Sequence, residues 1–580
     1  MKLRNISVLC LPVLMLLTGC ESLDYVPSDQ MSDQTFWQTE DHARQAAVGM
    51  YSAMKAQWCF GMEFTFDMCS DLADGTSPWS DVSRGTSFAS NSTGVQNHWQ
   101  NLYELVHRAN TVIRNVKSMP ISSETIDRVT GEAKFLRAMA YFRMLNCWGG
   151  VPYYDETCDI NEQFANLNSP RSSADEIRSH VLEDLTEAIE LLPVEWQAED
   201  LGRATKGAAY ALRGKVYLFN REWEKAKSDF EEIVYNRNHH YGYSLHPDYN
   251  ELFRLYNGNH SREMIFSIQS IDGNTSGYAL DIVSYFGNKS TMRLIASNCI
   301  VPSTTLVDMY ENEDGSEFNW DDVFPGFNTG DSSLRRKYMC VAIDQGSTYV
   351  TSTLSCDTVA VANAYRKRDP RLCLNVITPY SHYLGTDAGS NPMDKQFVLA
   401  DPTQGGAPME AQAFIRNSEG WNSYFWRKWI PTGNLDGYWG EYNRTPYEFP
   451  LIRLGDVLLM LAEAYNETGE LAKAVAEVNK VRARVGMPGL NSGASWLAVG
   501  NHDEMSLRIR RERAFELAGE GQRYWDLRRW GLLKESVKDA TDIFGDLMYS
   551  RIYQPRHELW PIPLVEMDRN LNLTQNPGWE

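Results

Sequence analysis

The chain has 580 residues, 43% of them hydrophobic and 12% aromatic, which is enough apolar surface for a large buried core. Its formal net charge of -21 repels phosphate backbones and anionic head groups, which argues against nucleic-acid binding. Beyond the N-terminal region no apolar run reaches the roughly 20 residues that a membrane-spanning helix needs.

Lys2 and Arg4 precede an apolar run from Val8 to Leu17, and the run closes on Leu17-Thr18-Gly19-Cys20. A basic start, a short apolar middle and small residues before a cut mark a secretory signal. An ordinary signal ends on an A-x-A-like site, whereas this one ends on a cysteine and resembles the bacterial lipobox. That resemblance implies that the Cys20 thiol takes a diacylglyceryl group and that cleavage makes Cys20 the mature N-terminus. A plain signal peptide with an incidental cysteine is the alternative. Residues 1–19 are then signal and residues 20–35, with "VPSDQMSDQ", a polar tether. Apart from Cys10 and Cys20, eight cysteines remain, none in a C-x-x-C spacing. Export permits pairing, and Cys59/Cys69 and Cys147/Cys158 are near in sequence, but buried free thiols fit equally well.

Residues 36–238 read as helical. Leu102, Leu105, Val106, Ala109, Val112, Ile113 and Val116 line one helix face, and Ile126, Val129, Ala133, Leu136 and Ala140 another. Ser173 and Glu176 form a capping box, and Pro193 stops the helix that follows it. Tyr217, Trp223, Ala226, Phe230 and Ile233 reappear as Tyr465, Leu471, Ala474, Val478 and Val481, each 248 positions on. A small alanine between larger apolar residues suits closely paired helices, a pattern that resembles the tetratricopeptide unit. Such units bury their faces by stacking. Between the two copies, from 239 to 450, helical periodicity fades and Gly, Asn, Ser, Thr and aromatics dominate. This middle part reads as an irregular lobe of long loops and short strands, the kind of region that carries function. Residues 451–580 return to helix and close the chain, so that 36–580 is expected to form one body.

The phrases "EAKFLRAMAYFRMLNCWGGVP", "GRATKGAAYALRGKVYL", "FPLIRLGDVLLMLAEAYNETGE", "VNKVRAR", "RERAFELAGEGQRYWDLRRWG" and "LWPIPLVEMDRNLNLTQNPGW", with the lipobox, resemble the SusD/RagB family of outer-membrane nutrient-binding lipoproteins. The matches keep their order over nearly the whole chain. The resemblance implies a mostly α fold, a scaffold of tetratricopeptide-like helix pairs with an irregular lobe. It implies a lipid-anchored protein of the cell outer membrane, facing the exterior, that captures oligosaccharide or, in some members, peptide. The implied partner is a SusC-like TonB-dependent transporter barrel, over which the protein sits as a lid.

The motifs themselves point to scaffold more than to catalysis. Glu512, Glu516 and Glu520 step by four along one face beside Arg508, Arg511 and Arg513, and read as an ion-pair network. Glu463 interrupts the apolar run "VLLMLAEAY" and needs a partner, for which Arg453 is the expected choice. No HExxH, G-x-S-x-G or P-loop occurs, and no cofactor is expected. The acids of "DGNTSG" and "ENEDGSEFNWDD" do not fit an EF-hand, although carbonyl oxygens could still hold a structural calcium ion. A neutral sugar is held by a flat aromatic face and nearby hydrogen-bonding side chains. Aromatics in polar loops are therefore the expected ligand contacts. They are Trp79 with Asp81 and Arg84, then Tyr278, Tyr285 and Phe286, then Trp320, then Trp421, Tyr424 and Trp426. The first two clusters also fall where the family resemblance implies ligand contacts. A hydrolase, the rival reading, would need paired carboxylates in the lobe. An assembly protein would lack a concave aromatic surface there.

Overall fold

The apolar stripes of the first half become helices. A computed structural model describes residues 36–85, 90–158, 168–254, 260–270, 280–287, 291, 299–341, 356–386, 392–399, 422–430 and 447–580. Cys20, Tyr278 and Trp421 lie outside these residues. The described chain is mostly helical. The main N-terminal helices are α1 (Glu40–Lys55), α2 (Thr93–Val116), α3 (Ser123–Trp148), α4 (Ala174–Leu191), α5 (Lys206–Phe219) and α6 (Trp223–Tyr235). They are followed, after the lobe, by α7 (Leu454–Glu467), α8 (Leu471–Arg484), α9 (His502–Leu517) and α10 (Arg523–Arg529). Side-chain caps start most of the long ones. At α4 the Ser173 hydroxyl accepts from the Glu176 N–H at 3.2 Å, and the Glu176 carboxylate accepts from the Ser173 N–H at 2.7 Å.

Sequential helices pack as neighbours from α2 to α6, and then α6 packs on α7 although more than 200 residues separate them. The two helical hairpins are copies. α5 and α7 begin 248 positions apart, at 206 and 454, and α6 and α8 do so at 223 and 471. Their turns match as well: the N–H of Glu222 bonds to the carbonyl of Tyr217 (2.9 Å), and that of Glu470 to Tyr465 (2.7 Å). Ala226 and Ala474 are both fully buried. Where α5 carries Gly214, a Cβ would stand 2.6 Å from the Phe230 ring; the equivalent positions hold Ala462 and the smaller Val478. Each hairpin thus exchanges volume between its partners while keeping the helix approach. Enlarging Ala226 or Ala474 to Phe is expected to cost about 1–3 kcal/mol, measured by denaturant unfolding, because the void needed does not exist.

The lobe leaves the scaffold after α6 and returns through an antiparallel pair of strands, β2 (Met264–Ile268) with β8 (Phe449–Arg453), which leads directly into α7. The other strands are short and also pair in twos: β1 (Ala73–Gly75) with β3 (Ile300–Pro302), β4 (Val376–Ile377) with β7 (Phe425–Trp426), β5 (His382–Thr386) with β6 (Pro392–Gln396), and β9 (Ala540–Thr541) with β10 (Leu547–Tyr549).

A buried ionic network fastens the lobe to the scaffold. Arg453, the last residue of β8, donates to Glu263 (2.8 Å), Glu516 (2.7 Å) and Glu520 (2.7 Å). Glu516 is shared with Arg484 and with Arg371 of the lobe (3.2 Å), and Glu512 joins Arg371 (2.7 Å) to Arg482 (3.0 Å). Arg482 and Arg508 also hold Glu311, and Lys428 holds Glu520 at 2.7 Å. Three guanidinium groups keep the Glu516 carboxyl far below the usual carboxylate range despite its burial. Two sequence expectations are refined here. The Glu512/Glu516/Glu520 face is an ion-pair network, but it reaches into the lobe and not only between the last helices. Glu463 does not pair with Arg453; it takes Arg529 (2.6 Å) and the Trp530 indole N–H (2.9 Å) from α10 and the residue after it, because β8 turns Arg453 toward α9. No disulfide joins Cys59 to Cys69 or Cys147 to Cys158.

Candidate functional site

The expected aromatic platforms separate into buried rings and one half-exposed ring. Trp79 is 1% exposed: its indole N–H donates to the Thr65 hydroxyl (2.8 Å), and it stacks on Phe66 at 5.0 Å. Trp320 is 4% exposed, donates to Asp308 (2.7 Å) and stacks on Phe327 at 4.6 Å. Both are corrected from sugar platforms to core side chains. Phe286 and Trp426 are also buried and stack on each other at 4.9 Å, and the buried Tyr424 shares a hydrogen bond with Tyr365. The neighbours of Trp79 serve the loop itself. Asp81 accepts from the Ser92 hydroxyl and the Val82 N–H, and the Arg84 guanidinium lies 4.4 Å over the Tyr549 ring. A loop without a helical ladder is held by its own side chains, which draws its aromatics inward.

Tyr285 differs. It is the penultimate residue of the short helix Ile282–Phe286, is half-buried, and is backed edge-on by Phe64 at 5.9 Å. Its hydroxyl meets the Gln57 amide at 3.5 Å. Gln57 opens a single π-helical turn, Gln57–Gly61, after α1, a distortion of the kind found at functional positions. The next residue, Trp58, is half-buried and stands edge-on to Trp79 at 5.2 Å. The short helix packs on β3, whose pairing with β1 is extended by the bond from the Thr76 N–H to the carbonyl of Cys299 at 2.9 Å. Gln57 and Tyr285, with Trp58 next in the chain, form a shelf over a dense aromatic core.

Sequence reasoning missed Gln57 and Trp58. The one signal available was a tryptophan at the end of the amphipathic run of α1, in "MKAQWCFGM". The electrostatics of the shelf are quiet. Burial raises the Tyr285 phenol and the Asp281 carboxyl, and pushes the Cys299 thiol up to about 12, so it is no nucleophile at neutral pH. His98, beneath Trp58 and bonded to its carbonyl at 2.6 Å, is lowered to about 3 by burial and by Arg143 and stays neutral. Among the described residues no group of three or more His, Cys, Asp or Glu is placed to hold a metal ion, and no helix is long and apolar enough to cross a membrane. The chemistry on offer is hydrogen bonding and ring contact.

Comparison with known proteins fits this architecture. Residues 262–579 match the family described as the SusD family, and residues 23–218 match one described as "Starch-binding associating with outer membrane". SusD-like protein P25 of Formosa agariphila is 27% identical, over 98% of this chain and 97% of its own length. Among solved structures, a SusD-like carbohydrate binding protein of Bacteroides fragilis superposes with a TM-score of 0.74 at 22% identity, covering 93% of this chain and 100% of that one. Surface glycan-binding protein A of Bacteroides thetaiotaomicron, solved with laminarihexaose, gives 0.62 at 18% identity, over 92% of this chain and 99% of that one. Helix-pair scaffold, inserted lobe and a family match over more than half of the length lead to one assignment: the chain belongs to the SusD family.

Proposed function

We propose that this protein is a surface-exposed lipoprotein of the outer membrane that captures neutral oligosaccharide and delivers it, uncut, to a SusC-like TonB-dependent transporter barrel. The observation that carries the reading is the match of residues 23–218 to a family described as starch-binding and associated with the outer membrane. The shelf supports it: Gln57 and Tyr285 offer an amide and a phenol next to the half-buried Trp58. A neutral sugar gains its binding energy from ring contact and hydroxyl hydrogen bonds, with no ion pair. Shallow contacts of this kind give dissociation constants on the order of micromolar to millimolar, about 4–8 kcal/mol. Such weakness suits a protein that must hand its ligand on.

The test is a glycan and peptide array on the soluble chain from Glu21 onward, followed by calorimetry on the hits. Tyr285→Ala is expected to remove most binding, and added salt to change it little. Strong salt dependence with indifference to Tyr285→Ala would replace the sugar by a charged peptide. Catalytic release of product, lost on mutating a lobe carboxylate, would turn the protein into a hydrolase. The anchor has its own test. Cys20→Ala is expected to move the protein from the membrane fraction to the soluble one with its helical circular-dichroism spectrum unchanged. Retention in membranes without a transporter present would rule out lipid attachment at this residue.

A further inference from the structure

A second opening lies on the scaffold, away from the lobe. A cavity of about 770 Å³ is enclosed by α2, the chain at Pro152–Cys158 and the C-terminal stretch Glu566–Leu573. Its size lies within the range of small-ligand sites, roughly 300–1,000 Å³. The wall is aromatic: Trp99 and Tyr103 meet at 5.1 Å with planes tilted by 48°, and Tyr103 meets Tyr154 at 6.1 Å and 66°. Tyr103 and Tyr154 line this opening and are partly exposed. The Tyr103 hydroxyl donates to the carbonyl of Pro152 (2.7 Å), which fixes that ring. Gln100, His107 and Arg569 add polar side chains around the rings, and Arg569 is already held to Glu566 at 3.0 Å.

One run of touching rings links the shelf to the cavity. From Trp58 the contacts pass through Trp79 (5.2 Å), His98 (5.8 Å) and Trp148 (5.9 Å) to Trp99 (5.0 Å). The intermediate rings are buried, which ties the two openings to one rigid core.

We propose that this cavity is a second saccharide-binding site, suited to one or two sugar rings of a neutral glycan, with Tyr103 and Tyr154 as its ring contacts. The choice of ligand class rests on the glycan-binding reading given above; the site itself rests on the cavity. Two weak sites on one rigid body bind a long polymer more tightly than either alone, because engagement of the first raises the local concentration at the second.

The experiment is fluorine NMR of the soluble chain from Glu21, labelled with 5-fluorotryptophan, with Trp58 and Trp99 assigned by W58F and W99F. Hexasaccharides of β-1,3-linked and α-1,4-linked glucose are the probes. With at least one of them the Trp99 resonance is expected to shift, and to do so in Tyr285→Ala as well. Tyr154→Ala, and separately His107→Trp as a plug, are expected to abolish that shift while leaving the Trp58 response intact. Movement of Trp58 alone would overturn the second site and leave the shelf standing. Movement of Trp99 alone would do the reverse. Silence of both resonances with both sugars would overturn both assignments, and a Trp99 shift that survives Tyr154→Ala and His107→Trp would place its origin outside the cavity.

Discussion

Replacing Glu516 with alanine is expected to destabilise the protein by about 3–5 kcal/mol, because it takes one carboxylate from three buried guanidinium groups at once. Arg371, Arg453 and Arg484 come from the lobe, from the strand that ends it, and from α8, so the loss falls on the junction that positions the lobe. Denaturant unfolding of Glu516→Ala against Asp503→Ala, an exposed acid on the same helix, checks this: only the first should shift the midpoint. The same residue sets a pH dependence. Its folded-state pKa lies far below that of the unfolded chain, so the unfolded state binds more protons in acid. The stability it contributes is fully present above the ordinary carboxylate range, about pH 4–5, and drains away as the pH falls below it. Glu516→Gln should flatten that part of the stability profile. A profile of unchanged slope would mean that the arginines hold the lobe through their other carboxylates.

Gly521→Ala is expected to cost about 3 kcal/mol and to weaken ligand binding with it. Gly521 has φ +73°, and a Cβ there would stand 1.9 Å from the carbonyl oxygen of Glu63. An L-residue pays about 1–2 kcal/mol for the left-handed conformation, and overlap with backbone adds about 1–3 kcal/mol. The contact bears on the proposed site because Glu63 precedes Phe64, the ring that backs Tyr285. Close by, the Gly519 N–H donates to buried Asp67 (2.7 Å), so the turn after α9 grips the short helix Glu63–Cys69 that underlies the shelf. Gly469→Ala is the control. It shares the positive φ, at +80°, but has no atom within 4 Å of a Cβ, and its counterpart in the first hairpin is Arg221 at +59°. It should cost about 1 kcal/mol and leave binding untouched. Equal losses in both glycine variants, by calorimetric melting, would show that backbone strain and not the grip on Glu63 is what Gly521 relieves.

The helical scaffold was legible because its determinants are local and periodic. A stripe such as Leu102 to Val116, the capping box of Ser173 and Glu176, and the repeated Tyr-x-Ala-Phe/Val spacing are each fixed within a few turns, and all three appear in the folded chain. The family was legible for the same reason, since most of its phrases lie in those helices. The packing of the lobe was not. Trp79, Trp320 and Tyr285 stand in equally polar, glycine-rich stretches, yet two are buried and one is half-exposed. Nothing within ten residues of Trp79 announces that Thr65, Phe66 and Trp58 will close around it. Likewise Arg453 was a reasonable partner for Glu463 by proximity in sequence, until β2 and β8 paired and turned it toward Glu516 and Glu520. Sequence by itself determined the lipobox resemblance, the helices, their repeat and the family resemblance. Only the tertiary structure decided which aromatic faces meet solvent, because the exposure of a loop side chain is set by whichever distant segment packs over it, and that packing carries no period to read.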